Sequence, residues 1–275
     1  MLNAHATPTQ ESTGRPVQAS IVAVIPAYNE ERFIASVVFQ TRPYVDQVIV
    51  VDDGSNDRTA ELAEAAGAFV VLCEQNSGKA AALNAGFAAA LRYHPQAVVC
   101  LDADAQHEPS EIPSVALPVL EGQADVVIGS RFMSTKSKIP GWRQVGQHTL
   151  TAVTNTLSGT HLTDSQSGFR AFSATAAQAL SFTSQGLSVE SEMQFLFGPA
   201  GMRVAEVPIS VRYQDGNKRN PVVHGLQVLD ALLSLVARRR PLMFISLPGL
   251  LLACLGLLLG VYVTYRMDQM GELMV

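Results

Sequence analysis

The chain has 275 residues, 48% of them hydrophobic, and a formal net charge of −5 at pH 7. This suffices for one large α/β domain with a proper core plus a small additional segment, and the acidic balance predicts no nucleic-acid partner. The three cysteines are isolated and the six histidines lack metal-ligand spacing, so neither a disulfide framework nor a zinc site is indicated.

Residues 1–19 are polar and predict a flexible tail rather than a secretory signal, which keeps the folded part in the cytoplasm. From residue 21 onward, short apolar runs alternate with helical patterns. The predicted strands are Ile21–Ile25, Gln47–Val51, Ala68–Leu72, Ala97–Leu101 and Asp125–Ile128. The predicted helices are Glu30–Phe39, Asp57–Ala66, Gly78–Leu91 and Glu108–Leu120. This alternation predicts a mostly parallel sheet with helices on both faces.

The pattern is weaker after residue 139. Helical spacing covers Trp142–Leu157 and Ser188–Phe197, and a short strand is predicted over Gly168–Phe172. A further strand is predicted over Val204–Val211. Because it contains a proline, which cannot donate to a ladder, we expect it at a sheet edge or bulge.

The C-terminal part contains two apolar patterns. Residues 222–236 carry one apolar stripe at helical spacing, which predicts a helix that lies on a membrane surface or packs on the soluble domain. Pro241–Tyr265 has no charged residue. At about 1.5 Å per residue it can cross a hydrocarbon core about 30 Å thick. The three arginines at 238–240 precede it and favour a cytoplasmic catalytic side.

These patterns divide the chain into five predicted segments. They are a flexible tail at 1–19, an α/β domain at 20–219, an amphipathic interface helix at 220–240, a transmembrane segment at 241–265 and a tail at 266–275. The chain is therefore predicted to be attached to the cell membrane by its C-terminal helix.

Polar clusters follow four of the predicted strands. They are Ala27–Glu30, Asp52–Ser55, Asp102–Gln106 and Gly129–Arg131. Ligands of open parallel sheets bind at the carboxyl ends of the strands, so four clusters on one edge predict a binding site there.

Two acidic pairs stand out in these clusters. Asp102 and Asp104 flank one alanine, so both carboxylates can face one Mg²⁺ or Mn²⁺ ion shared with substrate phosphates. A D-x-D sequence alone is usually a solvated turn. Asp52 and Asp53 precede Gly54, which indicates either turn chemistry alone or a carboxylate that binds a nucleotide base or ribose. The segment from Ser77 to Lys79 opens a helix without the full P-loop pattern, so nucleotide hydrolysis is not supported.

Six short motifs occur in order along the chain. They are IVAVIPAYNEE at 21–31, VDDGSNDRT at 51–59, NSGKAAAL at 76–83, LDADAQHEP at 101–109, GSRF at 129–132 and DSQSGFRAF at 164–172. Together they resemble family-2 glycosyltransferases of GT-A (Rossmann-like) fold, in particular the polyprenyl- and dolichyl-phosphate sugar transferases. Ala80 replaces a glycine usual in the third motif, and no Q-x-x-R-W sequence of processive synthases is present.

The resemblance implies a donor site with a divalent metal. The residues that it assigns to the nucleotide sugar are Pro26, Tyr28, Glu30, Asp52, Lys79, Asp102, Arg212 and Lys218. The metal, Mg²⁺ or Mn²⁺, would be held by Asp102, Asp104 and Gln106.

The resemblance also implies an acceptor side. Arg131 and Arg143 would face the acceptor phosphate, because a guanidinium binds phosphate through two parallel hydrogen bonds; a surface ion pair is the alternative for each. Asp164 would lie near the reacting centre and, with Arg131, carry catalysis. Glu190 or Glu192 would lie in the same cleft or on a helix surface.

The implied activity is inverting transfer of a sugar from a nucleotide-diphosphate sugar to a lipid phosphate at the cytoplasmic membrane face. One alternative is a membrane-anchored transferase that acts on a hydroxyl of diacylglycerol or a soluble glycan. The other is a non-catalytic protein that binds a nucleotide sugar or serves as a membrane scaffold. The sequence does not determine which sugar is transferred, which nucleotide base carries it, or whether the chain forms a homo-oligomer.

Overall fold

A computed structural model describes residues 20–133, 141–183, 189–212 and 241–272. The chain divides between Ala231 and Leu232 into two compact units. The predicted boundaries at 219 and 240 and the predicted amphipathic helix lie outside the described residues.

Within the first unit the described residues form one seven-stranded sheet. Its strands are β1 (Ile21–Ala27), β2 (Gln47–Asp52), β3 (Phe69–Leu72), β4 (Ala97–Cys100), β5 (Val126–Ser130), β6 (Arg170–Ser173) and β7 (Val204–Pro208). The helices of this unit are α1 (Ile34–Thr41), α2 (Thr59–Ala65), α3 (Lys79–Ala90), α4 (Ile112–Leu120), α5 (Gly141–Ser158), α6 (Ala174–Ala179) and α7 (Val189–Phe197).

The strand order is β3-β2-β1-β4-β6-β5-β7. All neighbours are parallel except at β6, which runs antiparallel to both β4 and β5. Arg170, the first residue of β6, pairs with Cys100 at the end of β4. The start of β6 therefore lies at the edge where its neighbours end.

The core consists of two apolar layers on opposite faces of the sheet. Alternate residues of β1 point to opposite faces, so Val24 belongs to one layer and Ile25 to the other. Helices α3, α6 and α7 cover the first face, and α1, α2 and α4 cover the second. Burial on both faces explains why the central strands are almost uniformly apolar.

The predicted mostly parallel sheet is confirmed, and β7 lies at an edge as its proline indicated. Two predicted strands end two residues too early. β1 continues through Pro26 to Ala27. Its pairing with β4 ends at Val24, so no strand lies beside Pro26 on the β4 side and the missing N–H of the proline interrupts no ladder there. β5 continues through Gly129 and Ser130, which pair with the end of β7. Helix α1 begins four residues later than predicted, at Ile34, and α6 was not predicted.

In the second unit, one helix, α8, spans Pro241–Glu272. Residues 248–269 of α8 have a mean hydropathy of 1.8 and none of that stretch is buried. Among the described residues, α8 alone is long and apolar enough to cross a membrane.

Candidate active site

The polar segments of the first unit meet at one edge of the sheet. Strands β1, β2, β4 and β5 end there, and β6 begins there because of its reversed direction. The loop before β6 therefore joins the four clusters expected from the sequence, and brings Asp164 with it.

The two neighbouring aspartates after β2 have different roles. Asp53 accepts the backbone N–H groups of Ser77 (2.9 Å) and Gly78 (2.8 Å), one at each carboxylate oxygen, and so fixes the loop before α3. Asp52 is 5% exposed and accepts the N–H of Ser55 at Oδ1 (3.0 Å), while its Oδ2 receives no hydrogen bond from the described residues. Asp52 is therefore the member of the pair that can accept hydrogen bonds from a ligand.

The loop after β1 is tied to the loop after β2. Asn29 has a φ of +55° and donates its N–H to Ser55 Oγ (2.9 Å), and Glu30 donates its N–H to Thr59 Oγ1 (2.8 Å). Tyr28 beside them is 39% exposed. These bonds place the predicted nucleotide-binding residues of both loops side by side.

Lys79 joins the acidic loop after β4 to helix α7. Its Nζ donates to Asp102 Oδ1 (2.5 Å) and to Glu190 Oε1 (2.6 Å). The three side chains are between 10% and 30% exposed. They line a small cleft together with Pro26, Gly168, Arg170 and apolar neighbours. Of the two glutamates predicted for the cleft, Glu190 is therefore the one that lies there.

The charges of this cluster stabilise one another. Burial alone would lower the pKa of Lys79, but the two carboxylates raise it, so the ammonium stays protonated. Burial alone would raise the pKa of Asp102, but Lys79 lowers it to about 2. Burial lowers the pKa of His107 to about 4, so the imidazole is neutral at pH 7, and its Nδ1 accepts the N–H of Asp102 at 3.3 Å.

Asp104 forms the second half of the acidic loop. Its carboxylate accepts the N–H (3.1 Å) and the side-chain amide (2.6 Å) of Gln106. Burial and then the charge of Asp102 raise the pKa of Asp104 to about 6, which shows that the negative charge here is incompletely compensated. Ala105, between Asp104 and Gln106, has a φ of +59°, which is an uncommon conformation for a residue with a Cβ.

This donor set fits a hard divalent cation. No group of three His, Cys, Asp or Glu side chains converges as metal ligands within the described residues. Two carboxylates and an amide oxygen are nevertheless typical of Mg²⁺ sites in which water and substrate phosphates complete the coordination. The incompletely compensated charge of Asp104 is what such a cation would neutralise.

Gly168 lies directly against the acidic loop. A Cβ built on Gly168 would stand 2.5 Å from Asp102 Oδ2 and 2.8 Å from Oδ1. Only glycine therefore permits the close approach of this backbone to the carboxylate.

Arg131 and Asp164 form an ion pair at the end of β5. Arg131 donates from Nε to Asp164 Oδ2 (2.6 Å), from Nη2 to Oδ1 (2.7 Å) and from its backbone N–H to Oδ2 (3.1 Å). Asp164 is completely buried, and the Arg131 side chain is 11% exposed. The ion pair considered as the alternative for Arg131 is therefore present, but it is buried and not at the surface.

Two residues without an assigned role in the sequence hold the segment 163–168, here called the bridging loop. Glu206 of β7 accepts backbone N–H groups from Thr163 and Asp164. Arg170 is 1% exposed and donates to the backbone carbonyls of Ser165 and Ser167, both at 2.8 Å. A single glutamate in an edge strand gives no sequence signal of such a contact, whereas Arg170 lies in a quoted motif.

The other expected residues lie elsewhere or outside the described part. Arg212 donates its backbone N–H to Gln106 O, but its side chain is 72% exposed and pairs with Glu108. Glu192 is turned toward Thr183, whose N–H and hydroxyl it accepts. Lys218 and the side chain of Arg143 lie outside the described residues.

Comparison with known proteins identifies the family. The family model described as glycosyl transferase family 2 matches residues 22–180. The chain belongs to glycosyl transferase family 2. The predicted family, GT-A fold and enzyme class are thereby confirmed.

Relatives within the family include two lipid-phosphate enzymes. The chain is 33% identical to a UDP-N-acetylglucosamine–dolichyl-phosphate N-acetylglucosaminyltransferase of Methanococcus voltae, over 71% of this chain and 86% of that protein. It is 31% identical to a polyprenol monophosphomannose synthase of Mycolicibacterium smegmatis, over 72% of this chain and 79% of that protein.

The fold is also found in a solved structure. Glucosyl-3-phosphoglycerate synthase of Mycobacterium tuberculosis, in complex with Mn²⁺, UDP-glucose and phosphoglyceric acid, superposes with a TM-score of 0.63 at 28% identity. The match covers 78% of this chain and 79% of that one. This neighbour binds a divalent metal and a nucleotide sugar together.

Proposed function

We propose that this family-2 glycosyltransferase transfers a sugar from a nucleoside-diphosphate sugar to a polyprenyl or dolichyl phosphate, with inversion at the anomeric carbon and with Mg²⁺ or Mn²⁺ bound. The observation that carries the proposal is the placement of three groups along one edge of the sheet. Asp52 lies at the end of β2, the acidic loop 102–106 at the end of β4, and the Arg131–Asp164 pair at the end of β5.

The donor side holds the leaving group. Asp52 Oδ2 accepts hydrogen bonds from the base or ribose, and the diphosphate lies toward the acidic loop. Asp102, Asp104 and Gln106 would hold the cation, which would supply positive charge to the diphosphate leaving group. Lys79 stays charged and keeps Asp102 ionised for this role.

The acceptor side holds the nucleophile. An oxygen of the lipid phosphate forms a bond to the anomeric carbon, the bond from that carbon to the diphosphate breaks, and the nucleoside diphosphate leaves with the bonding electrons. The attacking oxygen is already ionised near pH 7, so no general base is required and positioning dominates. Both oxygens of Asp164 accept from Arg131, which supports an orienting role for Asp164 rather than proton abstraction.

The membrane side of the proposal depends on α8. Its unburied apolar stretch 248–269 is a candidate anchor, and arginines 238–240 precede it as expected of a cytoplasmic flank. The named dolichyl- and polyprenol-phosphate relatives support an acceptor that resides in a membrane.

A hydroxyl acceptor is the second candidate, and one observation favours it. The solved neighbour at TM-score 0.63 contains phosphoglyceric acid, which is not a lipid. A hydroxyl has to lose its proton during transfer, and Asp164 is then the candidate base.

The deciding experiment measures which acceptor the full chain glycosylates in detergent or in vesicles. Labelled UDP- and GDP-sugars are supplied with Mn²⁺ and with polyprenyl phosphate, diacylglycerol or phosphoglycerate as acceptor. We expect label in the polyprenyl phosphate product and loss of transfer when the metal is chelated. Transfer to diacylglycerol or phosphoglycerate alone would establish the second candidate, and transfer in the presence of EDTA would contradict the metal role.

A further inference from the structure

The carboxylate of Glu206 accepts hydrogen bonds from three donor groups of the bridging loop. The N–H of Thr163 lies 2.9 Å from Oε1 and 2.8 Å from Oε2, the hydroxyl of Thr163 lies 2.9 Å from Oε1, and the N–H of Asp164 lies 3.1 Å from Oε1. Carboxylate hydrogen bonds to backbone N–H groups are charge-assisted and stronger than neutral ones.

A charged residue in an edge strand usually has a simpler explanation. Such charges keep strand edges from pairing with other chains, and they do so by facing solvent. Glu206 is only partly exposed; its Oε1 accepts hydrogen bonds from two successive residues of a distant loop, and its Oε2 accepts one from the first of them. Protection of the edge does not require these contacts.

The contacts of Glu206 lead to the acceptor side of the site. Asp164, whose N–H Glu206 accepts, receives the side chain and the backbone N–H of Arg131. A second connection runs through Thr163, whose hydroxyl lies 2.6 Å from Ser130 Oγ. Glu206 thus contacts the ion pair directly through the backbone of Asp164, and a second hydrogen-bonded route leads through Thr163 to Ser130, the residue before Arg131.

We propose that Glu206 is a positioning residue for sugar transfer: it holds the bridging loop so that Asp164 presents both carboxylate oxygens to Arg131. The inference rests on the proposed acceptor role of that pair. In this proposal Glu206 contacts neither the nucleotide sugar nor the lipid phosphate. Its removal should therefore slow the chemical step and leave the affinity for the nucleotide sugar unchanged.

The chain offers a matched control on the same two strands. Asp125 accepts the backbone N–H of Arg203 (2.8 Å) and two guanidinium hydrogen bonds (both 3.0 Å), and it connects β5 to β7 at their opposite, amino ends. Asp125→Asn therefore removes a similar carboxylate from the same strand pair, away from the site. Both variants are compared with the wild-type full chain. Release of the nucleoside diphosphate gives kcat and KM, and thermal unfolding gives the stability.

We expect Glu206→Gln to lower kcat about tenfold with the donor KM within about twofold, since small misplacement of reacting groups is costly. Asp125→Asn should leave both constants unchanged. In an Asp164→Asn background, Glu206→Gln should cost less than about twofold, because residues that act through one another are non-additive. Equal losses in both backgrounds, or equal losses in kcat for Glu206→Gln and Asp125→Asn, would show a merely structural role and overturn the proposal.

A second measurement does not depend on the acceptor. Amide hydrogen exchange at Thr163 and Asp164 should be faster in Glu206→Gln than in wild type and unchanged in Asp125→Asn. Unchanged exchange in Glu206→Gln overturns the positioning role even if polyprenyl phosphate proves to be the wrong acceptor. If exchange at Thr163 and Asp164 is faster in Glu206→Gln but the enzyme proves to use another acceptor, the positioning role stands and only the proposed acceptor is refuted.

Discussion

Asp164 is completely buried, and its two carboxylate oxygens each accept a guanidinium hydrogen bond from Arg131, at 2.6 and 2.7 Å. The pair joins the end of β5 to the bridging loop, so two segments far apart in sequence share one charge-neutral unit. An acceptor phosphate that approaches Arg131 would therefore meet a guanidinium whose orientation is already fixed by Asp164.

Arg131→Lys should weaken this unit, because an ammonium cannot form two parallel hydrogen bonds to a carboxylate. We expect the free energy of unfolding to fall by about 2 kcal/mol, within the range for perturbed buried pairs, and turnover to fall with it. Urea unfolding and nucleoside diphosphate release measure the two effects. The control is Arg203→Lys, which alters an exposed bidentate pair with Asp125 and should change neither quantity appreciably.

Asp104→Asn should separate stability from activity. The charge of Asp104 is disfavoured by burial and by Asp102, so its removal should raise the thermal midpoint of the metal-free protein by about 2 °C. The same change removes a proposed metal ligand, and we expect Mn²⁺-dependent transfer to be lost. Differential scanning calorimetry without metal and transfer assays with Mn²⁺ provide the measurements. Near-normal turnover would exclude Asp104 as a ligand.

Gly168→Ala should displace the acidic loop. The added methyl group would lie 2.5 Å from Asp102 Oδ2, so the carboxylate has to move from its position beside Lys79. We expect at least about tenfold weaker binding of UDP-sugar with Mn²⁺, measured by calorimetry. Gly198→Ala is the matched control, since a Cβ there meets nothing within 4 Å. Equal affinities of the two variants would contradict the close approach.

Lys79→Met should leave two carboxylates without their shared cation. We expect a loss of about 3 kcal/mol in unfolding free energy, as for other buried pairs that lose one partner. Adding Glu190→Gln to Lys79→Met should restore part of that loss, because the second change removes one of the uncompensated charges. Additive destabilisation in this double-mutant cycle, measured by urea unfolding, would show that the two residues do not interact.

Membrane attachment through α8 can be tested with two charges. Leu252→Arg and Leu258→Arg together should impair insertion, since each arginine near a helix centre costs about 2.5 kcal/mol or more. We expect the double variant to appear in the soluble fraction after carbonate extraction, whereas Leu252→Ala with Leu258→Ala stays with the membrane. Retention of the arginine variant would argue against insertion of α8.

The parts of the fold that follow from local pattern were predictable. Runs such as Gln47–Val51 and Ala97–Leu101 predicted strands within one residue of their ends, because burial on both faces requires uninterrupted apolar residues. The direction of β6 was not predictable, since a four-residue strand carries no signal for parallel or antiparallel pairing.

The site shows the same division. The acidic pairs at the ends of β2 and β4 were predictable from turn chemistry and position. The sequence could not show that backbone N–H groups take both carboxylate oxygens of Asp53 but only one of Asp52. The contact of Glu206 with residues 163 and 164 spans 42 to 43 positions and depends on the pairing of β5 with β7. Such contacts follow from topology, which short motifs do not encode.

The reversed direction of β6 has an evolutionary consequence. Ser130 ends β5 and Arg170 begins the adjacent β6, so the intervening 39 residues enter and leave the sheet at neighbouring strands, about 5 Å apart. An excursion with such close ends can lengthen, shorten or change sequence without altering strand order. The segment that carries Arg131 and Asp164 can therefore vary in length while the order of strands β1 to β4 stays the same.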